Sequence, residues 1–340
     1  MEPGGAGSSV GPRMDVGAFC RQSKVVVVVG KGGVGKTTVT AALALAAARA
    51  GLEVLVVALD DSGGLPALFG RDDRFGYEPV RLADRPGGSS GGVAGQVVTS
   101  REALLEYLEG HGFGRVSRRL IHSGALDVVA TAIPGVEQVL VLGKVKQLEK
   151  AGGYDLVLVD APATGHAVSF LTSSGGLVDA ARGGPLRAQA EQVVELLSDP
   201  SRAQALLVTL PEETPVNEVV ETAYRLEDEV GIALGPVVVN ACLPVLDDLG
   251  ADPAAAARAA GVRPPGPSRR RLLSMAAAFR SARQEVQSEQ LDRLAAALPL
   301  AQVTLPYLFD QPIGPGGLGL LAGRLAAGIE ALDGAAGARG

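Results

Sequence analysis

The stretch KVVVVVGKGGVGKTT, residues 24–38, decides both the fold and the place of the functional site. Its valine run shows no polar alternation, which is typical of a parallel strand buried on both faces. The Ala- and Leu-rich TTVTAALALAAARAG (37–51) then predicts a helix that closes at Gly51. A second apolar run, LEVLVVALD (52–60), predicts the next strand. These segments together predict a strand–loop–helix–strand unit.

The loop between the first strand and the helix fits the pattern G-x-x-x-x-G-K-[ST]. Its glycines let backbone N–H groups curl around phosphate oxygens, and the following helix directs the positive end of its dipole at the same anion. Lys36 is predicted to neutralise nucleotide β- and γ-phosphates, and Thr37 to coordinate Mg²⁺. The predicted nucleotide-binding residues of this loop are Gly30, Lys31, Gly32, Gly33, Val34, Gly35, Lys36, Thr37 and Thr38.

The rest of the chain repeats the alternation of strands and helices. Apolar runs that predict strands occur at 155–162, 203–211, 235–241 and 301–306, with helical stretches between them. This order predicts an α/β fold with a doubly wound, mostly parallel sheet, as in P-loop NTPases. We interpret 23–334 as one domain with helical insertions near 100–150 and 245–297, preceded by a disordered tail (1–22) and followed by a flexible one (335–340). The Gly-rich segment 84–96 is predicted to be a loop.

Two aspartates end predicted strands, Asp60 after the second and Asp160 after the run YDLVLVD. Ligands of such sheets bind beyond the carboxyl ends of the strands, so both carboxylates are expected to face the phosphate site. Asp160 is predicted to hold Mg²⁺ through water. For Asp60 the residues alone leave open whether it serves the site or caps a turn.

Composition and charge exclude several classes of protein. Lysine and arginine total 31 against 37 acidic residues, and aromatic residues make up 4% with no Trp. Such a chain lacks the cationic and stacking surface that nucleic acid requires, so no nucleic-acid partner is expected. The two cysteines, Cys20 and Cys242, lie too far apart for a CxxC pair, so neither a disulfide scaffold nor a four-cysteine zinc site is expected. Without a membrane-spanning run or a signal-peptide core, a cytoplasmic protein is expected.

The segment DAPATGHAVSFL (160–171) resembles switch II of the arsenical-pump-driving ATPases and of their relatives that deliver tail-anchored membrane proteins. The family form is D-T-A-P-T-G-H, and the matching residues here are Asp160, Thr164, Gly165 and His166. LDDSGGLPALF (59–69) stands in the place of switch I but matches it only at Asp60, Leu65 and Phe69. The resemblance implies that Asp60 orients the attacking water.

The early lysine of the loop resembles the deviant Walker A form K-G-G-x-G-K-T. From spacing alone, Lys31 fits a solvated loop lysine as well as a phosphate ligand. In the family this lysine reaches the nucleotide of a facing subunit, so the resemblance implies that Lys31 acts in trans within a dimer. It also implies catalytic roles for Lys31, Lys36 and Asp60, with ATP and Mg²⁺ as cofactors.

Further segments resemble the family in the expected order. TLPEETPVNE (209–218) implies that Glu212 approaches nucleotide across the dimer, and VVVNA (237–241) that Asn240 reads the adenine edge. LPYLFDQPIG (305–314) implies base contacts from Pro306 and Tyr307. The general layout most resembles an actinobacterial branch whose members pair with paralogues: it has no cysteine cluster, DAPATGH in switch II and a helical segment that contains IPGVEQVLVLGKVKQLE (133–149). Arsenite-responsive members of the family bind the metalloid through several cysteines, so the resemblance implies no arsenite site here.

The leading hypothesis is a dimeric, Mg²⁺-dependent ATPase that controls a partner, either a membrane transport component or a client protein. The dimer is expected to be a homodimer or a heterodimer with a paralogous ATPase, and a membrane-protein partner would make it peripheral to a membrane. A ParA/MinD-like positioning ATPase is one alternative, although the C-terminal GLGLLAGRLAAGIEAL is expected to pack on the sheet. A small-molecule kinase is the other, and the sequence does not locate its acceptor pocket.

Overall fold

A computed structural model describes residues 15–59, 64–72, 74–84, 91–112, 135–310 and 312–336. The strands are β1 (Val25–Gly30), β2 (Glu53–Ala58), β3 (Val80–Asp84), β4 (Gly92–Val97), β5 (Leu156–Ala163), β6 (Ala203–Thr209), β7 (Ala233–Cys242) and β8 (Gln302–Pro306). The helices are α1 (Val16–Cys20), α2 (Lys36–Arg49), α3 (Gly64–Leu68), α4 (Ser100–Gly110), α5 (Val136–Ala151), α6 (Thr164–Ala180), α7 (Pro185–Ser198), α8 (Glu213–Arg225), α9 (Pro253–Ala259), α10 (Pro267–Ala297) and α11 (Pro315–Ala336).

The strands of the described residues form one sheet in the order β3-β4-β2-β5-β1-β6-β7-β8. Each neighbouring pair is parallel except β3 and β4, which pair antiparallel at the edge. The central strand β1 lies between β5 and β6, so its carboxyl end is flanked by the ends of both. The predicted doubly wound, mostly parallel α/β fold is confirmed.

The valines of β1 explain why that strand reads as a continuous apolar run. Val25, Val27 and Val29 belong to the hydrophobic core on one face of the sheet. Val26 and Val28 belong to the core on the other face. Since helices cover both faces, every residue of the strand is buried and polar alternation is absent.

The C-terminal helix α11 packs against α2 on one face of the sheet. Its apolar stripe of Leu318, Leu321, Leu325 and Ile329 is 1–2% exposed. The expectation that this segment packs on the sheet is confirmed, and the stripe is not available to lie on a membrane surface. Among the described helices, none combines the length and hydropathy needed to cross a membrane.

Three predictions about segments need correction. Residues 15–22 are not a disordered tail: Asp15 caps α1, and Phe19 and Cys20 are buried in the core beside α2. At the other end, α11 continues to Ala336, into the predicted flexible tail. The predicted loop 84–96 includes strand β4, whose residues are all buried. A Cβ on Gly92 would lie 2.8 Å from the carbonyl oxygen of Ala83, and one on Gly95 would lie 2.8 Å from the Phe75 ring, so there is little room for side chains at these positions.

Candidate nucleotide site

The phosphate loop joins the end of β1 to the start of α2. Gly33 and Gly35 have φ angles of +85° and +89°, a region that L side chains rarely adopt. A Cβ on Gly30 would collide with the carbonyl oxygen of Val208 on β6. Val34 is buried and fixes the loop to the core beneath it. The glycine spacing is thus required by the loop's own shape, which aims the first N–H groups of α2 at a common point.

Lys36 lies where the loop becomes helix. Its Nζ atom donates a hydrogen bond to the carbonyl oxygen of Lys31, 3.2 Å away, so the ammonium group folds back over the loop. A phosphate cradled by the loop would meet this cation and the N-terminus of α2 together. Neutralisation of nucleotide phosphates by Lys36 stays a prediction.

Thr37 and Asp160 provide oxygen atoms beside that lysine. The Thr37 hydroxyl donates to Oδ2 of Asp160 at 2.6 Å, and the Thr40 hydroxyl lies 3.5 Å from Oδ1. Asp160 reaches this point because β5 pairs with β1 in a register that sets it opposite Val28. A hydroxyl and a carboxylate that converge beside a phosphate site fit Mg²⁺, which prefers oxygen ligands and keeps several waters.

A cavity of about 400 Å³ opens from these groups toward the helical layer. It is bounded by the switch II segment 160–163, by α4 and α5, and by Phe170 of α6. Its lining comprises Lys36, Thr37, Leu59, Val98, Ser100, Glu137, Gln138, Val141, Asp160, Ala161, Pro162, Ala163 and Phe170. The sequence did not single out Glu137 or Gln138, which lie far along the chain from the loop.

Lys31 forms an ion pair with Glu218 of α8 in the same chain. Both side chains are about one-third exposed, 36% and 34%. An ion pair with this exposure contributes about 0–1 kcal/mol, so little free energy holds the lysine in place. Glu218 closes the TLPEETPVNE segment, and sequence reasoning chose Glu212 from that segment instead.

Another cavity, of about 460 Å³, includes two of the residues predicted to contact nucleotide. Glu212 and Tyr307 line it. Glu212 forms an ion pair with Arg283 of α10, with 3.0 Å between Oε1 of the glutamate and Nη2 of the arginine. Tyr307 stacks edge-to-face on Phe309, and its backbone N–H donates to the carbonyl of Cys242. Pro306 ends β8 beside them. Arg283 carries no sequence signal for this site, because it reaches Glu212 only through the packing of α10.

Asn240 contacts the phosphate loop itself. Its Nδ2 atom donates to the carbonyl of Val34 at 2.9 Å, and a Cβ on Gly35 would collide with the same nitrogen. One amide hydrogen is therefore engaged by the loop, which leaves the other hydrogen and Oδ1 for a base. Contact with adenine stays a prediction.

For the remaining predicted site residues, the structure gives a position in the fold but few side-chain contacts, or no description. Asp60 lies outside the described residues, as does the rest of the segment 60–63. Helix α6 begins at Thr164 and continues through Gly165, and His166 is exposed on it. Thr38 lies in the first turn of α2, and Gly32 lies next to Ala163 of switch II. The switch II segment therefore lies directly against the phosphate loop.

Both cysteines are buried. Burial raises the pKa of the Cys20 thiol to about 12 and that of the Cys242 thiol to about 11. Metals and arsenite bind the thiolate form, whereas these groups stay protonated at neutral pH. Cys20 packs under α2 rather than in a tail, which corrects the expectation from sequence.

We predict that Asn240→Ala reduces the preference for ATP over GTP about ten- to a hundred-fold. Adenine offers a donor and an acceptor that pair with the amide, whereas guanine presents its O6 to the wrong group, and unpaired buried groups cost about 1–3 kcal/mol. Competition binding with both nucleotides measures the ratio. Equal weakening of both nucleotides would mean that Asn240 serves the loop through Val34 rather than the base.

Comparison with known proteins adds an independent finding. The family model described as anion-transporting ATPase (ArsA_ATPase) matches residues 23–177. The ATPase BagA of Mycobacterium tuberculosis is 36% identical over 225 residues, which cover 64% of this chain and 65% of the relative. A putative arsenical pump-driving ATPase of Halobacterium salinarum is 26% identical over 86% of this chain and 43% of its own length. The ATPase get3 of Schizosaccharomyces japonicus is 32% identical over 44% of this chain and 43% of its own length. The chain thus spans about 65% of the length of the first curated relatives it matches.

Proposed function

We propose that this chain is an ATPase of the ArsA family, described as anion-transporting ATPases, and that it binds ATP with Mg²⁺ and hydrolyses it as a dimer to control a partner protein. The observation that carries the proposal is the convergence of Lys36, Thr37 and Asp160 at the end of β1. A cation, a hydroxyl and a carboxylate meet there beside a loop of backbone donors. This arrangement suits the phosphates of a nucleotide better than any other ligand class.

In the proposed reaction the chain's residues bind and stabilise charge. Lys36 and the loop amides hold the β- and γ-phosphates, where negative charge spreads as the γ-phosphoryl group is transferred to water. Thr37 and Asp160 are the residues that would hold Mg²⁺, Asp160 through water. When bound, the metal neutralises charge on the phosphate oxygens. The helix dipole of α2 adds to the same field.

Assembly as a homodimer, or as a heterodimer with a paralogous ATPase, is part of the proposal. Its support is Lys31, whose weak pair with Glu218 leaves it able to reach a second subunit. Helix α10 adds an exposed apolar surface: Leu272, Met275 and Phe279 are 65%, 60% and 71% exposed. Apolar exposure of this kind on one helix marks a surface for another chain. A membrane-protein partner would bring an otherwise cytoplasmic ATPase to the membrane periphery.

Phosphate release from ATP tests the proposal. The purified chain is assayed with ATP and with GTP, each with Mg²⁺ and with EDTA, at concentrations where sizing reports the dimer. Release that needs ATP and Mg²⁺ together is expected. A chain that transfers phosphate only when a small-molecule acceptor is added would be a kinase, and one that binds no nucleotide would contradict the site assignment.

We predict that Asp160→Asn raises the Mg²⁺ concentration needed for half-maximal turnover, while ATP affinity measured in EDTA changes little. The amide removes the negative charge that favours the cation but keeps a partner for the Thr37 hydroxyl. The shift is expected to be about tenfold or more, since loss of a partner that orients metal ligands costs about 10–100-fold. A Mg²⁺ titration that superimposes on the wild-type curve would remove Asp160 from the metal site.

A further inference from the structure

The cavity that opens from the phosphate loop includes a second group of polar side chains. Lys36, Thr37 and Asp160 line it together with Glu137 and Gln138, which belong to the first turn of α5. The loop, Thr37 and Asp160 account for the binding of phosphates and metal. The carboxylate on α5 shares the same space and has no part in that binding.

The fold holds the start of α5 rigidly. Val136, Val139 and Leu140, the residues around the two polar side chains, are 7%, 0% and 2% exposed and belong to the core. Gly135 precedes them at a φ angle of +86°, where a Cβ would lie 3.4 Å from Ser173 of α6. The helix therefore begins tightly against α6, the switch II helix. A carboxylate on this turn is positioned by packed elements rather than by a loop.

Glu137 has no structural partner among the residues that the structure describes. No hydrogen bond or ion pair engages its side chain there, whereas the half-buried Glu106 is paired with Lys144 and the buried Glu149 with Arg202. A half-buried carboxylate that faces a cavity is stabilised only by water or by a ligand in that cavity. Lys36 and Asp160 line the same cavity, so a water bound to Glu137 shares that cavity with the phosphate site.

We propose that Glu137 orients and deprotonates the water that attacks the γ-phosphate, an inference that rests on the proposed ATPase function. The water gives its proton to the Glu137 carboxylate as its oxygen bonds to the γ-phosphorus. The bond from that phosphorus to the bridging oxygen breaks, and ADP and inorganic phosphate leave. Glu137 then returns the proton to bulk water. This role supplements or replaces the one that the family resemblance implies for Asp60.

Glu137→Gln tests the assignment, with Glu195→Gln as the control because Glu195 is an exposed glutamate on α7 of the same helical layer. The Gln side chain keeps the volume but cannot take a proton. Turnover is expected to fall about 10²-fold or more, while the Kd for ATP stays within about threefold. A second measurement, the affinity for ADP with and without aluminium fluoride, accompanies the turnover assay. Wild type should bind ADP more tightly when aluminium fluoride is added, because that complex includes the attacking water, and Glu137→Gln should lose this gain.

The outcomes separate the inference from the function on which it rests. A wild type that binds ATP without hydrolysing it overturns both. If wild type hydrolyses ATP and the turnover of Glu137→Gln stays within about threefold of the wild-type value, only the role of Glu137 is overturned. Asp60→Asn provides the last comparison: if it loses turnover and the aluminium fluoride gain while Glu137→Gln keeps both, the water is oriented by Asp60 and the present assignment is wrong. Unfolding temperatures of all variants confirm that loss of activity is not loss of fold.

Discussion

Lys36→Ala is expected to abolish measurable hydrolysis and to weaken ATP binding about ten- to a hundred-fold. Hydrogen bonds to charged groups contribute about 1.5–3 kcal/mol, and Lys36 is the cation that the structure places over the loop. Loss of one group that stabilises transition-state charge lowers turnover by about 10²–10³-fold, and a full positive charge is worth at least as much. Equilibrium binding of a fluorescent ATP analogue, followed by single-turnover phosphate release, measures both effects.

Lys24→Ala is the matched control for this variant. Lys24 is an exposed lysine at the opposite end of β1, so its removal changes the net charge equally without touching the loop. The Lys36→Ala protein should unfold at nearly the same temperature as wild type, because the half-buried Lys36 side chain is not part of the hydrophobic core. If Lys36→Ala hydrolyses ATP at the wild-type rate, the loop is not the phosphate site.

Local patterns in the sequence were enough to predict the centre of the fold. The valine run of β1, the glycines of the loop and the helix that starts at Lys36 all act within about fifteen residues, where spacing alone fixes the structure. Strand β4 was wrongly predicted to be a loop, because glycine-rich segments are characteristic of loops. In the fold the glycines of β4 fit a buried strand, because the Phe75 ring and the backbone of β3 lie too close to leave room for side chains there. Helix α1 was missed for a similar reason, since its burial depends on α2 and α11.

The residues of the site also fall into two groups, those that local sequence patterns predict and those that depend on the packing of distant helices. Thr37 could be predicted from the loop motif and Asp160 from the apolar run before it, and the pairing of β1 with β5 brings the two together. The ion pairs of Lys31 with Glu218 and of Glu212 with Arg283 could not, because they depend on how α8 and α10 pack on the sheet. Glu137 lies in the segment 133–149, whose resemblance to the family gave that side chain no role. Its position follows from the start of α5 against α6, which no local pattern encodes.

Lys31→Ala is expected to bind ATP normally and to lose about 10³–10⁵-fold in turnover, the usual cost of removing a cation supplied in trans to a phosphoryl transfer. That loss corresponds to about 4–7 kcal/mol of barrier, whereas the exposed pair with Glu218 is worth about 0–1 kcal/mol. The pair in the same chain is therefore too weak to keep Lys31 from a second subunit's nucleotide. Glu218→Gln is the control: if Lys31 acted only through this pair, both variants would lose turnover alike.

Mixing two inactive variants gives the sharper test of action in trans. In a dimer of one Lys31→Ala chain and one Lys36→Ala chain, the intact phosphate loop lies on the first and receives Lys31 from the second. Random pairing of equal amounts makes half of the dimers mixed with one working site each, so about a quarter of wild-type activity should return. If the native partner is a paralogue, the homodimer will be weak, and adding that paralogue should raise turnover instead. Full turnover from a monomer, measured by sizing and phosphate release on one dilute sample, would contradict the trans role of Lys31, because no second phosphate site would then be within its reach.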